Sequence, residues 1–243
     1  MTGTDEASPT HPTALSDTGR RLVVAIDGPA SSGKSSVGAA AAQRLGYRFC
    51  DTGLLYRAVT DLALRRGVGL GDPAGLLPLV DEVELAADVD GRLSRVLIDG
   101  VDVTTEVRRP EVDRAVSEVS RVPEVRASLL ARQRSLADAG GIVMAGRDIG
   151  TVVLPDADLK IFLDASAEER ARRRAEERGL AKDSPEAGAI LADLQRRDDL
   201  DRNRTVAPLR PADDALHVQT DGNTFDQTVA AVESAIRAAE AAR

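Results

Sequence analysis

The stretch AIDGPASSGKSSV, residues 25–37, decides the fold. An apolar, β-branched run (RLVVAID) feeds a loop of glycines and hydroxyls. A helix-forming segment rich in alanine (SSVGAAAAQRLG) follows and stops at Gly46. Within the loop, Gly28, Gly33, Lys34 and Ser35 match the spacing G-x-x-x-x-G-K-[ST], set between a predicted strand and a predicted helix. The chemistry calls for these residue types. Glycines let the backbone fold into a concave nest of N–H groups, and the helix N-terminus adds positive potential for phosphate oxygens. Lys34 supplies a movable charge, and Ser35 offers a hydroxyl to Mg²⁺, a hard cation that prefers oxygen ligands. The expected triphosphate cradle is Gly28, Pro29, Ala30, Ser31, Ser32, Gly33, Lys34, Ser35 and Ser36. A Gly/Ser-rich turn that merely caps a helix would explain composition, but not the whole pattern in this setting. The loop announces nucleotide binding without choosing a reaction.

Working outward, YRFC reads as a second strand, and TGLLYRAVTDLALRRG carries helical spacing up to Gly67, so the chain opens as a βαβα unit. Between about Leu79 and Val107, apolar and polar residues alternate around Asp-Gly turns, which predicts an inserted antiparallel lobe. A helical pattern interrupted near Pro123 follows, then two buried-strand candidates, IVMA and KIFLDA. Ser166 with Glu169 forms the pattern of a capping box for a helix to Arg178, closed by Gly179. A second helix is expected from Ser184 with Pro185 in its first turn. ALHVQT is a last strand, before an alanine-rich helix from about Thr224.

Bulk properties narrow the classes. The chain has 243 residues, enough for one sizeable core and too few for two full enzyme domains. A net charge of -8 argues against broad binding to nucleic acid or anionic membranes, whose phosphates are held by Lys and Arg. Aromatic residues are 2% and Trp is absent, which removes the stacking platforms of single-strand binders. No apolar run is long enough to span a bilayer. Cys50 is the only cysteine, so no intrachain disulfide forms and a reducing cytoplasm is the expected compartment. Residues 1–19 carry no Lys or Arg and no apolar core segment; they read as a disordered tail rather than a secretory signal.

Four more segments, DTGLLYR (51–57), AVSEVSRVPEVR (115–126), GRDIGTVVLPDADLKIFLDAS (146–166) and RRDDLDRNRTVAPL (196–209), resemble those of bacterial cytidylate kinases in order and spacing. With the glycine loop they cover nearly the whole chain after the tail. The resemblance implies an α/β P-loop three-layer fold with a central parallel sheet. It further implies that the antiparallel lobe, about 79–108, belongs to the monophosphate-binding region, and that a helical pair, about 170–204, is a mobile lid on a single domain from 20 to 243. The implied reaction is transfer of the terminal phosphoryl group of ATP to CMP or dCMP with Mg²⁺, by an expected monomer.

By resemblance, Arg57, Arg147 and Arg204 hold the acceptor phosphate, and Arg197 with Asp201 engages the ribose. Lys34, Arg147, Arg197 and Arg204 are the expected catalytic set. Arginine suits the task because its planar fork binds phosphate oxygens bidentately and stays charged. The spacing 0, 4 and 7 puts Arg197, Asp201 and Arg204 on one face if the segment is helical, although the same spacing also fits an ordinary solvated salt-bridge face. Cytosine offers an exocyclic amino donor beside acceptor atoms, so Asp148 with Ser117 is expected at the amino edge and Arg126 at the acceptors. Thr52 and Tyr56 complete the acceptor pocket, with Tyr56 equally readable as wall or core. Asp148 alone is equally readable as a partner of Arg147 or a metal ligand.

The chain departs from the family at two places. Members usually carry an acidic residue immediately before GRD, where this sequence has Ala145; Asp27 is then the carboxylate expected to hold a metal-bound water. Ser31 stands where many relatives have glycine, a change the nest is expected to accommodate. Cys50 and His217 are read as structural, and Arg170, Arg172, Arg173 and Arg174, interleaved with Glu, as mostly solvated. A P-loop switch without kinase activity is the alternative class; the absence of an N/TKxD guanine-reading motif counts against it.

Overall fold

The computed structural model describes residues 21–181 and 184–243. The expected tail lies outside them.

Strand β1 (Val23–Asp27) is buried at all five positions and pairs in parallel with β6 (Ile142–Gly146) on one side and β7 (Leu159–Asp164) on the other. Outside these lie β2 (Arg48–Asp51), parallel to β6, and β8 (Leu216–Gln219), parallel to β7. The order of the parallel core is therefore β2-β6-β1-β7-β8. Near-continuous apolar β1 and β6 suit strands covered on both faces. On one face, helices α1 (Lys34–Leu45) and α8 (Phe225–Ala241) bury Val37, Ala41, Val229, Val232 and Ile236 against Val24, Ile26 and Val143. On the other, α5 (Pro123–Ala137) covers Ala25, Ile142 and Met144. This is the expected three-layer α/β fold.

Three findings refine the expectation. The antiparallel strands β3 (Val83–Ala87), β4 (Leu93–Ile98) and β5 (Val101–Asp102) do not stand apart as a lobe: β4 pairs with β2 at Cys50 and Leu93, so they extend the same sheet. A helix unmarked in the sequence reading, α3 (Pro73–Asp81), precedes them and packs with α2 (Gly53–Arg66) and α4 (Pro110–Val119) in a second apolar core. Asp72 caps α3 by accepting from the Ala74 amide. Pro123 does interrupt the long helical pattern, as the first residue of α5, where its missing N–H costs nothing.

Helices α6 (Ala167–Glu177) and α7 (Pro185–Arg202) pack together over the loop residue Ala30 through Ala171, Ala175, Ile190 and Leu194. Ser166 accepts from the Glu169 amide as predicted, but the box is not reciprocal. The Ser166 amide donates to Asp221, and the Glu169 carboxylate instead pairs with Arg172 and Arg173. Among the described residues no helix is long and apolar enough to cross a membrane.

Candidate active site

The carboxyl ends of β1, β2 and β6 open onto one cavity of about 750 Å³. This is where ligands bind in open α/β sheets. Along one side runs the loop 28–33. Gly28 approaches the Leu163 carbonyl so closely that a Cβ would lie 2.1 Å from its oxygen, so no other residue fits there. Ser31 adopts φ 57°, in the left-handed region where a Cβ costs roughly 1–2 kcal/mol; its hydroxymethyl group is accommodated against that cost. Helix α1 starts at Lys34 with Gly33 as its N-cap, no side-chain cap and no acidic residue in its first turn. By contrast α6, α7 and α8 are capped by Ser166, Ser184 and Thr224. The N-terminal amides of α1 are thus left for an anion.

Lys34 is buried and its ammonium donates to the Pro29 carbonyl at 2.9 Å. Burial first, and then the charge of Arg147, push its pKa well below the usual lysine value. Ala30, Ser31, Ser32, Gly33, Lys34, Ser35 and Ser36 line the cavity; Gly28 and Pro29 form its underlying turn. Asp27 is not brought to the cavity. Its two carboxylate oxygens accept from the amides of Ile149 and Gly150, both at 2.7 Å, and its burial raises its pKa to about 6. It pins the π-helical turn Ile149–Val153, which corrects the expectation of a carboxylate facing a metal-bound water. Near the loop it is Asp51 that lines the cavity, its Oδ1 accepting from the Gly53 amide at the start of α2. Asp51 sits in register with Ala145 across the sheet, and its charge acts on Lys34. Its place at a strand end within DTGLLYR was the available signal.

Opposite the loop, the structure brings together Thr52, Tyr56, Arg57, Ser117, Arg126, Arg147, Asp148, Arg197, Asp201 and Arg204, every residue expected for the acceptor. Thr52 is tied by amide and hydroxyl to the Ala145 carbonyl. Arg147 donates to Asp201 at 3.0 Å. Arg204 lies beyond the end of α7, so the expectation of a shared helical face holds only for Arg197 and Asp201. Arg204 is held instead by the Ala207 carbonyl and faces Asp148 at 3.5 Å. Asp148 pairs with Arg126 rather than Arg147, and the Arg126 guanidinium also lies 5.5 Å from the Tyr56 ring centroid. Tyr56 is therefore both wall and core: buried, lining the cavity, and bonded to Gln133.

Cations dominate this half. Burial, then Arg147 and Arg57, lower the Arg197 pKa to about 10, and burial, then Arg126, lower that of Arg204. Burial works to raise the pKa of Asp201, yet Arg147, Arg204 and Arg197 outweigh it and hold the carboxyl below its usual range. Such a cluster weakens its own protonated forms and gains from added anions.

Of the arginine run, Arg170 overturns the solvated reading. It is buried and donates to the carbonyls of Ala165 and Ala30 and, at 2.5 Å, to Asp198. Arg172, Arg173 and Arg174 line the cavity. Arg173 of that run, with Asn223, Thr224, Phe225 and Thr228, which the sequence reading did not assign to the site, closes it next to α1. Asp113, also unmarked, meets the arginines from α4. Cys50 is a buried free thiol raised by burial to about 12, and His217 lies in β8 against Phe162, both as expected. Among the described residues no group of three or more His, Cys, Asp or Glu is placed to hold a metal.

An amide-lined loop facing an arginine-rich cleft across the carboxyl end of a parallel sheet defines a P-loop kinase. The family model for cytidylate kinase matches residues 24–238, and the chain belongs to that family. It is 51% identical over 209 residues to the cytidylate kinase of Nocardia farcinica, covering 86% of this chain and 90% of that protein. To the cytidylate kinase of Aliivibrio salmonicida it is 44% identical over 208 residues, covering 86% and 93%. An uncharacterized protein from Eubacterium ventriosum has a similar fold, with a TM-score of 0.50 at 13% identity over 90% of this chain and 99% of that one.

Proposed function

We propose that this chain transfers the terminal phosphoryl group of ATP to CMP or dCMP, giving ADP and CDP or dCDP. The observation that carries the reading is a single cavity with an amide-lined loop along one side and the Asp148–Arg126 pair on the other. Phosphoryl transfer requires two nucleotides in line and charge neutralisation on the moving group, with little covalent work by the protein. In this reading the loop 28–36 holds the triphosphate, Lys34 follows the moving phosphoryl, and Arg57, Arg147 and Arg204 hold the acceptor phosphate. Arg197 and Asp201 take the ribose. The side formed by Arg173, Asn223, Thr224, Phe225 and Thr228 takes the ATP base.

At the cytosine, Asp148 accepts from the amino group, with Ser117 beside it, and Arg126 donates to the ring acceptors. A carboxylate has about four acceptor sites, so the bonds from Arg126 and Arg204 leave room. Uracil would present a carbonyl to that carboxylate and leave buried polar groups unmatched.

Mg²⁺ fits the donor set: it keeps its waters and binds through substrate phosphates with one or two protein oxygens, so the Ser35 hydroxyl and Asp51 suffice without a dedicated cage. Bound with ATP, it would spread the charge of the phosphates. Closure of the helical pair α6–α7 as a lid excludes water. The organisation proposed is one domain from residue 20, in a cytoplasmic monomer with small-molecule partners and neither nucleic acid nor membrane.

An ADP-release assay with CMP, dCMP, UMP and AMP, and Lys34→Ala as control, tests the reading. The expected order is CMP and dCMP far above UMP and AMP; ATP hydrolysis indifferent to every monophosphate would refute it.

A further inference from the structure

One carboxylate gathers the two halves of the acceptor side. Asp113, in the first turn of α4, is largely buried. Its Oδ1 accepts from Arg57 of α2 at 2.5 Å and faces Arg197 of α7 at 3.5 Å. Its Oδ2 accepts from Arg174 of α6 at 2.7 Å and faces Arg178, the C-cap of α6, at 3.7 Å. The two contacts at 2.5 and 2.7 Å are those of charge-assisted bonds, and the other two are longer. The close pair joins Arg57, on the acceptor side, to Arg174, on the helical pair. Arg197 is engaged only weakly, and its buried Nε has no partner.

We propose that Asp113 is a positioning residue. Its carboxylate ties the order of the acceptor-side arginines to docking of the α6–α7 pair, so that the pair seats only with Arg57 in place. Four guanidiniums around one carboxylate leave a net positive charge, enough for an arriving phosphate dianion to join the cluster without displacing Asp113. Arg197, with its unpaired Nε, is the arginine free to turn to the ligand. Asp113 itself touches neither the P-loop nor Asp148 in these contacts, so its loss acts through the arginines and the helical pair. Burial works to raise the pKa of Asp113, but Arg57 and Arg197 outweigh it and keep the group ionised.

The kinetic half of the test rests on the phosphotransfer reading above, and the distance half does not. Nitroxide labels at Glu118→Cys on α4 and Glu186→Cys on α7, both exposed, report the seating of the pair, while the buried Cys50 stays unlabelled. Without nucleotide, the wild-type protein should give a single narrow distance, and Asp113→Asn a broader and longer one. In kinetics, Asp113→Asn should lower kcat about tenfold, the scale of a lost charge-assisted contact, and move KM for ATP less than about threefold. Asp113→Glu should recover part of kcat. An unchanged distance distribution in Asp113→Asn overturns the proposal. So does tighter CMP binding with kcat intact, which would make the carboxylate a competitor of the acceptor. If the wild-type protein phosphorylates no monophosphate, the functional reading falls and the distances alone decide the role of Asp113.

Discussion

The two sides of the cavity are built by opposite means. The phosphate loop is one contiguous segment whose working parts are backbone amides, fixed by the close approach of Gly28 to Leu163 and by an uncapped helix start. The acceptor side is assembled from side chains of α2, α4, α5, α7 and the turn after β6, held by ion pairs such as Arg126–Asp148 and Arg147–Asp201. A backbone cradle is indifferent to what carries the phosphate. A side-chain cage can tell cytosine from uracil, and one substitution can undo it.

The sharpest break of this contrast is Lys34→Ala. It leaves the amides in place but removes the one side-chain charge of the loop, and should lower kcat by about a thousandfold in the ADP-release assay. Next comes Asp148→Ala. The comparison demands a loss of about a hundredfold in kcat/KM for CMP, with ATP affinity by calorimetry changed less than about threefold; equal losses would show that the two sides are not separable.

Arg170→Met should destabilise by about 3 kcal/mol in urea unfolding, because Asp198 is left as a buried unpaired charge. A surface-like effect below about 0.5 kcal/mol would return Arg170 to the solvated class.

ATP affinity should fall as pH rises through the lowered pKa of Lys34. The empty site depresses that pKa, and bound phosphates raise it again, so binding takes up protons in the window between the depressed pKa and the usual lysine value. Calorimetry in buffers of different ionisation enthalpy measures the uptake; its absence would contradict the assignment. The smallest effect is expected for Ala145→Asp: half-saturating Mg²⁺ should shift less than about threefold, since Asp51 in register with it already presents a carboxylate to the cavity.

The same contrast governs what could be read before the fold was known. The loop is local, so its residues and spacing carry its geometry. The strands along the chain and the helix starts at Ser184 and Thr224 were equally legible, because each depends on neighbours in sequence. The acceptor residues were collected through a resemblance, since nothing local says that Arg126 and Asp148 meet. Asp113 went unmarked because its four partners come from other elements, and a carboxylate on a helix ordinarily faces water. Asp27 was misplaced for a related reason: the amides that claim it belong to a turn more than a hundred residues later. The antiparallel strands were legible as strands, while their junction with β2 through one register pair left no trace in composition.

The Arg170 pin has a mechanical consequence. With Arg170 fastening the first turn of α6 to the carbonyls of Ala30 and Ala165, a cover swinging from its root would have to break both bonds. The lever arm starts past the pin and runs along the helix to Glu177, roughly 10 Å. In the lid reading proposed above, a rotation of about 30° would then carry that end only about 5 Å, a short stroke anchored on the very loop it would cover.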